Sequence, residues 1–180
     1  MRGKAFRIFV LLAVSAVALW GSPIFWPGSG HWYELTSSAA NWSDAQTEAL
    51  GKGGYLVVIN DSAEQAFVAS TFASTGDYES FIWIGLYDPS FSGSGPFVWV
   101  NGDPVGYTNW APGEPNNYFT NEWAVEMRTA AYGNEWNDLP GYVSHYGVIE
   151  YDNYIPEPAT LLFVGTGLIG LAFLRRRKSA

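Results

Sequence analysis

NWAPGEPNNYFTNE, residues 109–122, crowds two carboxylates, Glu114 and Glu122, and four side-chain amides, Asn109, Asn116, Asn117 and Asn121, into a segment stiffened by Pro112 and Pro115. It belongs to a long irregular stretch, residues 107–121. A loop of that length inside a compact domain is usually functional or disordered, and this one holds too many Trp, Tyr and Pro residues for disorder. Three readings are open at this point: an ordinary surface turn, a pair of catalytic acids, or half of a metal cage.

The flanking sequence supplies a scaffold. HWYEL (residues 31–35) alternates like an edge strand. NWSDAQTEALG (41–51) offers Asn41 as an N-cap, apolar Trp42, Ala45 and Ala49 at helical spacing, and Gly51 as a stop. YLVVI (55–59) reads as a short buried strand. Ser62 with Gln65 forms a capping box ahead of a second helix carrying Ala66, Phe67, Ala69 and Ala73. From Phe81 onward the chain is strand and loop: FIWIGLY (81–87), FVWV (97–100) with an Asn101-Gly102 turn, WAVEM (123–127) and YGVIEY (146–151). Two helices early and several short strands late predict an α+β fold.

Neither terminus belongs to that scaffold. Residues 1–22 set Arg2, Lys4 and Arg7 ahead of an apolar run and an Ala-Val-Ala cleavage pattern at 16–18, the build of a signal peptide. An uncleaved anchor is the competing reading, although the run is short for a bilayer that needs about 20 apolar residues. At the other end Pro156, Glu157 and Pro158 precede an apolar segment, residues 159–174, and a basic tail, 175–180, which would hold that end in the cytoplasm. The globular domain is expected over residues 28–152, with a linker and the triplet at 153–158. Triplet, apolar segment and basic cluster, in that order, resemble the PEP-CTERM sorting signal of Gram-negative bacteria that make extracellular polysaccharide. The resemblance implies a transient inner-membrane intermediate, cleavage near the triplet by an exosortase, and final residence at the cell surface or in the extracellular matrix. A plain single-pass anchor is the other reading of the same residues.

Seven of the nine Lys and Arg residues lie in those terminal segments. Lys52 and Arg128 alone face all 17 acidic residues, so the middle of the chain carries a formal charge of 2 − 17 = −15 where the whole carries −8. A field of that sign repels nucleic acid and anionic membrane surfaces, which are excluded as partners. Solubility explains most of the carboxylates, and divalent cations suit the remainder. The chain has no cysteine, which excludes thiolate metal sites and thiol catalysis. It is 48% hydrophobic, with nine Trp, eleven Tyr and eleven Phe, ample for one core.

WIGL (83–86), FVWVNG (97–102), NWAPGEPNN (109–117), NEWAVEM (121–127), WND (136–138) and GVIEY (147–151) resemble, in that order, the C-type lectin-like domain. The resemblance runs over residues 31–151. It implies a C-type lectin-like fold of two helices and short antiparallel strands with a long calcium-binding loop region. In calcium-dependent members the principal Ca2+ site takes the Glu and Asn of Glu-Pro-Asn, the downstream Glu, and the Asn and Asp of Trp-Asn-Asp. Here these are Glu114, Asn116, Glu122, Asn137 and Asp138. Oxygen donors without His or Cys fit a hard cation. The family's proline in the triplet is cis, which singles out Pro115. The resemblance also implies that Glu114, Asn116, Glu122 and Asn137 bind sugar, because two vicinal hydroxyls can complete the calcium shell while donating to Glu and accepting from Asn. Glu-Pro-Asn goes with mannose, glucose, N-acetylglucosamine or fucose, and not galactose. Tyr118 and Phe119, at the variable tip, are the candidates for stacking on a sugar ring. Trp83, Trp99, Trp110, Trp123 and Trp136 read as core or loop anchors.

Two departures stand out. The family's four common cysteines fall at Ala49, Ile149, Ala124 and Gly141, and are missing in pairs. A disulfide commonly contributes about 2–4 kcal/mol, which aromatic packing and bound calcium must offset. A second, weaker metal site would draw on Asp88 and Asn117, but Asn117 stands where the family has Asp, and no Glu follows Asp88 before Phe97. Two further functions compete with sugar binding. As acid and base of a glycosidase, Glu114 and Glu122 would stand roughly 5–9.5 Å apart; amide neighbours and an open loop argue against it, since a general acid needs a pKa raised by burial. The stronger competitor is an adhesion domain that binds protein, with calcium only ordering the loop. His31 and His145 have no catalytic partner in view and receive no role.

Overall fold

Asn41 and Asp61 start the two helices. The Asn41 side chain accepts from Asp44 N at the head of α1 (Trp42–Gly51), and Asp61 accepts from Ala63 N and Glu64 N at the head of α2 (Ser62–Phe72). The second cap therefore lies one residue before the expected Ser62. Asp61 brings a charged acceptor to the free N–H groups and the positive end of the helix dipole. Gln65, expected to close the capping box, is buried instead. Its carbonyl accepts from Trp136 Nε1 at 2.8 Å and its amide donates to Asn134 O at 2.8 Å.

The computed structural model of the chain describes residues 22–73 and 81–154. Both apolar terminal segments and the triplet Pro156 to Pro158 lie outside the described residues; within them no helix is long and apolar enough to cross a membrane. The strands are β1 (Ile24–Trp26), β2 (His31–Leu35), β3 (Tyr55–Leu56), β4 (Ile82–Tyr87), β5 (Val98–Trp99), β6 (Ala124–Met127), β7 (Trp136–Leu139) and β8 (Tyr146–Tyr151). They run β1-β2-β8-β4-β6-β7, with β3 added to β8 and β5 to β4. β8 is the hinge of the sheet: it pairs antiparallel with β2 and β3 and parallel with β4.

Three details differ from the sequence reading. β2 is not an edge strand, because Ile24, Phe25 and Trp26 pair with Tyr33, Trp32 and His31; the sheet thus starts before residue 28. Only Tyr55 and Leu56 of YLVVI form a regular strand. Val57, Val58 and Ile59 are fully buried but splice the sheet through single bonds, Val57 N to Val148 O and Gly85 N to Val57 O, both 2.8 Å. Finally, both histidines have carboxylate partners: His31 Nδ1 lies 2.6 Å from Glu150 Oε1, and His145 Nε2 lies 2.9 Å from Glu126 Oε2.

Apolar packing occupies the positions of the missing bridges. Ala49 and Ile149 share a buried cluster with Tyr151. At the other pair, a Cβ on Gly141 would come within 2.1 Å of the Trp123 indole, so the ring covers that spot closely. Burying a Val, Leu, Ile or Phe side chain contributes about 1.5–3 kcal/mol, comparable to what a bridge supplies. The main core runs beneath β4, β6 and β7, with Ile82, Ile84, Leu86, Trp99, Val125, Met127 and Trp136 all buried. Replacing Gln65 by Leu is expected to strand the Trp136 indole N–H and to destabilise the domain by about 1–3 kcal/mol in urea unfolding; an unchanged midpoint would show that the bond contributes nothing.

Candidate functional site

Trp136 opens β7 and fixes it. Its ring meets Trp99, Tyr107 and Trp110 edge-on at centroid distances of 5.7, 5.8 and 6.0 Å. Its backbone N–H donates to Asn109 O at 2.7 Å, and its carbonyl accepts from Ala111 N at 2.9 Å. The start of the long loop is thereby lashed to the strand that carries Asn137 and Asp138. Asp138 is fully buried, and its two oxygens accept from Asn116 N at 3.0 Å and Asn117 N at 2.8 Å. A carboxylate on the sheet thus holds the middle of the loop.

The loop then closes on itself. Tyr118 N donates to Asn116 Oδ1 at 2.7 Å, Thr120 N to Asn117 O at 2.9 Å, and Glu122 N to Asn117 Oδ1 at 3.1 Å. Gly113 and Asn117 take positive φ, 93° and 49°, and the Glu114–Pro115 peptide bond is cis. Asn109 donates to Asn134 O at 3.0 Å, a structural contact. The result is a cleft of about 460 Å³ lined by Glu114, Asn116, Glu122 and Asn137, with Asp138 behind Asn116. Tyr118 and Phe119 form its outer lip, 77% and 61% exposed and edge-on to each other at 5.0 Å. Phe81, Glu126, Arg128, Tyr132 and Leu139 complete the lining.

Charge is poorly balanced in this cleft. Glu114 Oε2 and Glu122 Oε2 are buried and have no hydrogen-bond partner, a state that costs free energy in proteins unless something else satisfies the oxygen. Burial first, and then the charge of Asp138, push the Glu114 carboxyl above its ordinary range against the pull of Arg128, whose Nη2 lies 3.4 Å from Glu114 Oε1. Glu122 is raised likewise by burial and by Asp138, in spite of N–H groups from Tyr118 and Phe119. Three crowded carboxyls, two amides and two orphaned oxygens make a donor set that fits a hard divalent cation such as calcium.

The lectin C-type domain family matches residues 38–148. The chain belongs to that family. A separate match, to the PEP-CTERM protein-sorting motif, covers residues 155–178. Among curated relatives, the human "C-type lectin domain family 17, member A" is 34% identical over 145 residues, 76% of this chain and 36% of that protein. The chain spans about a third of that relative's length. The "C-type lectin mannose-binding isoform" of Oxyuranus scutellatus is 31% identical over 116 residues, 63% of this chain and 72% of that one. Among solved structures, the cow C-type carbohydrate-recognition domain of CD23, determined in the presence of GlcNAc2Man3 oligosaccharide, superposes with a TM-score of 0.59 at 29% identity, covering 69% of this chain and 90% of that chain. C-type lectin domains generally bind calcium and are generally non-enzymatic.

In this lectin domain four of the five expected residues, Glu114, Asn116, Glu122 and Asn137, line one cleft, and the fifth, Asp138, is buried behind Asn116 and bonded to it. Asp88 and Asn117 each bond to residues of the 90–95 loop. The Asp88 carboxylate accepts from Ser90 N and Oγ, Ser92 N and Oγ, and Gly95 N. Burial alone would raise its pKa; donors on Ser90, Gly95 and Ser92 outweigh that and hold it well below the usual range. Asn117 Nδ2 points at Ser92 O and Ser94 Oγ. These two residues fasten one loop to another. The open loop invoked against a glycosidase does not hold either, since Glu122 is 2% exposed and both glutamates are raised. What sets the site apart from an acid and base pair is the third carboxylate and the amides.

Glu126 and Arg128 escaped the sequence reading. Glu126 had left a signal, a charged residue between Val125 and Met127 in a strand buried throughout. The raised carboxyls have a definite sign. Folding favours their protonated form, so their penalty is absent below the unfolded pKa of about 4.3 and grows as pH rises through the folded values. With chelator present, Glu122→Gln is expected to raise the melting temperature at pH 7 and leave it nearly unchanged at pH 4, read by thermal unfolding at both.

Proposed function

We propose that the chain is an exported, calcium-dependent carbohydrate-binding protein for mannose-type sugars, meeting extracellular polysaccharide or cell-surface glycans. The pair of buried, unpartnered oxygens on Glu114 and Glu122 carries this reading. Calcium would be held by Glu114, Asn116, Glu122, Asn137 and Asp138. When bound, it supplies the charge that draws the lone pairs of sugar hydroxyls. The protein side chains do the rest: a glutamate carboxylate accepts a hydrogen bond from one hydroxyl and an asparagine amide donates one to a hydroxyl oxygen. Tyr118 and Phe119 stand at the lip where an apolar sugar face could rest. Mannose, glucose, N-acetylglucosamine and fucose are the expected ligands; the printed names of the mannose-binding snake relative and of the cow domain determined with an oligosaccharide support that class.

The signal-peptide pattern at the start and the sorting motif at residues 155–178 support export through the inner membrane and processing by an exosortase. An adhesion domain that binds protein is the second reading, favoured by the exposed Tyr118 and Phe119 pair. Calorimetry separates the two. Calcium should bind first and methyl mannoside only in its presence, with Glu122→Ala and Asn137→Ala each abolishing both. Calcium uptake with no response to any of the four sugars would favour the protein-binding reading. Acidification offers an independent measure: protonating the carboxylates should release metal and sugar together, and retention at pH 3, below the ordinary carboxylate range, would sink the cage.

A further inference from the structure

We infer that Glu126 is a positioning residue for the cleft: it turns the Asn137 amide so that the carbonyl end serves the metal and one N–H remains for the sugar. The inference rests on the calcium reading above. An asparagine amide has one end that can ligate a hard cation and one that cannot. Left to rotate among carboxylates, it would turn its NH2 towards them and block the site. In the sheet register Glu126 on β6 stands directly opposite Asn137 on β7, and Glu126 Oε1 accepts from Asn137 Nδ2 at 3.0 Å. A carboxylate can only accept, so the nitrogen end is committed to β6 and Oδ1 is left for the cleft that Asn137 lines. The amide nitrogen carries two hydrogens, and Glu126 takes one.

Glu126 is itself held from behind. It is 1% exposed, and its other oxygen lies 2.9 Å from Nε2 of His145, which is 2% exposed. The His145 ring packs edge-on to Trp83 at 4.9 Å, and Trp83 Nε1 donates to Ala40 O at 2.9 Å. The clamp thus reaches back to the residue before the α1 cap. Groups that orient a metal ligand in this way typically alter affinity 10–100-fold when removed.

The test compares the full chain with Glu126→Gln and with the exchange Glu126→Gln/Asn137→Asp, by calcium titration, methyl mannoside titration and melting in chelator. Glu126→Gln, nearly isosteric, should weaken calcium about 10–100-fold, because the introduced amide can offer either of its ends to Asn137. In the exchange, the carboxylate placed on β7 has no wrong end and can accept from the amide placed on β6. The exchange should therefore bring calcium affinity back close to that of the unsubstituted protein, yet leave mannoside binding weak, since the donor to the sugar is gone. A merely structural Glu126 would lower the chelator melting point and would not be rescued at the metal. Calcium binding by Glu126→Gln equal to that of the unsubstituted protein would overturn the inference. So would an exchange variant that melts normally without recovering calcium. Calcium uptake absent from the unsubstituted protein would overturn the cage itself, and this role with it.

Discussion

The cleft depends on the carboxylate of Asp138. It sits on a strand fixed by Trp136 and reaches two consecutive N–H groups of the long loop, Asn116 and Asn117. Hydrogen bonds to a charged acceptor contribute about 1.5–3 kcal/mol each, enough to hold the middle of the loop. From there the order spreads. Asn117, once held, takes Glu122 N, and Glu122 is thereby delivered to the cleft. Gln65 on α2 secures the same strand from the core side, so the helix and the loop are both referred to β7.

That arrangement places negative charge where the protein alone does not neutralise it. Arg128 is near Glu114 but at 3.4 Å, and Glu122 has only backbone donors. A structure selected for stability alone would not leave two buried oxygens without partners. Functional sites are where such local conflict is expected, with the surrounding core supplying the stability to tolerate it. The Asp88 loop shows the contrast: a buried carboxylate whose oxygens take five donors from its own loop.

Much of this was legible in the sequence, for identifiable reasons. The Asn41 cap and the apolar spacing of Trp42, Ala45 and Ala49 are local properties and survived into α1. Glu-Pro-Asn, the later Glu and Trp-Asn-Asp are short strings whose side chains define their neighbourhood wherever the fold brings them. What escaped depends on partners distant along the chain. β1 became visible only through its pairing with β2, and the strand at Tyr55 was cut short because Val57 serves both β8 and β4 as a single splice. Gln65 stands three positions after Ser62, the spacing of a capping box; its real partner, Trp136, is 71 positions away. Glu126 carried a local anomaly but no hint of which strand it would face.

The two apolar substitutes for sulfur, the Ala49, Ile149 and Tyr151 cluster and the Trp123 ring over Gly141, free the fold from its chemical surroundings. A domain closed by disulfides needs an oxidant to mature and fails where reductants reach it. This one needs no oxidant to close. Without a cysteine it has no bond that thiols or oxidants can make or break, so its closure does not depend on the redox poise of the compartment in which it folds.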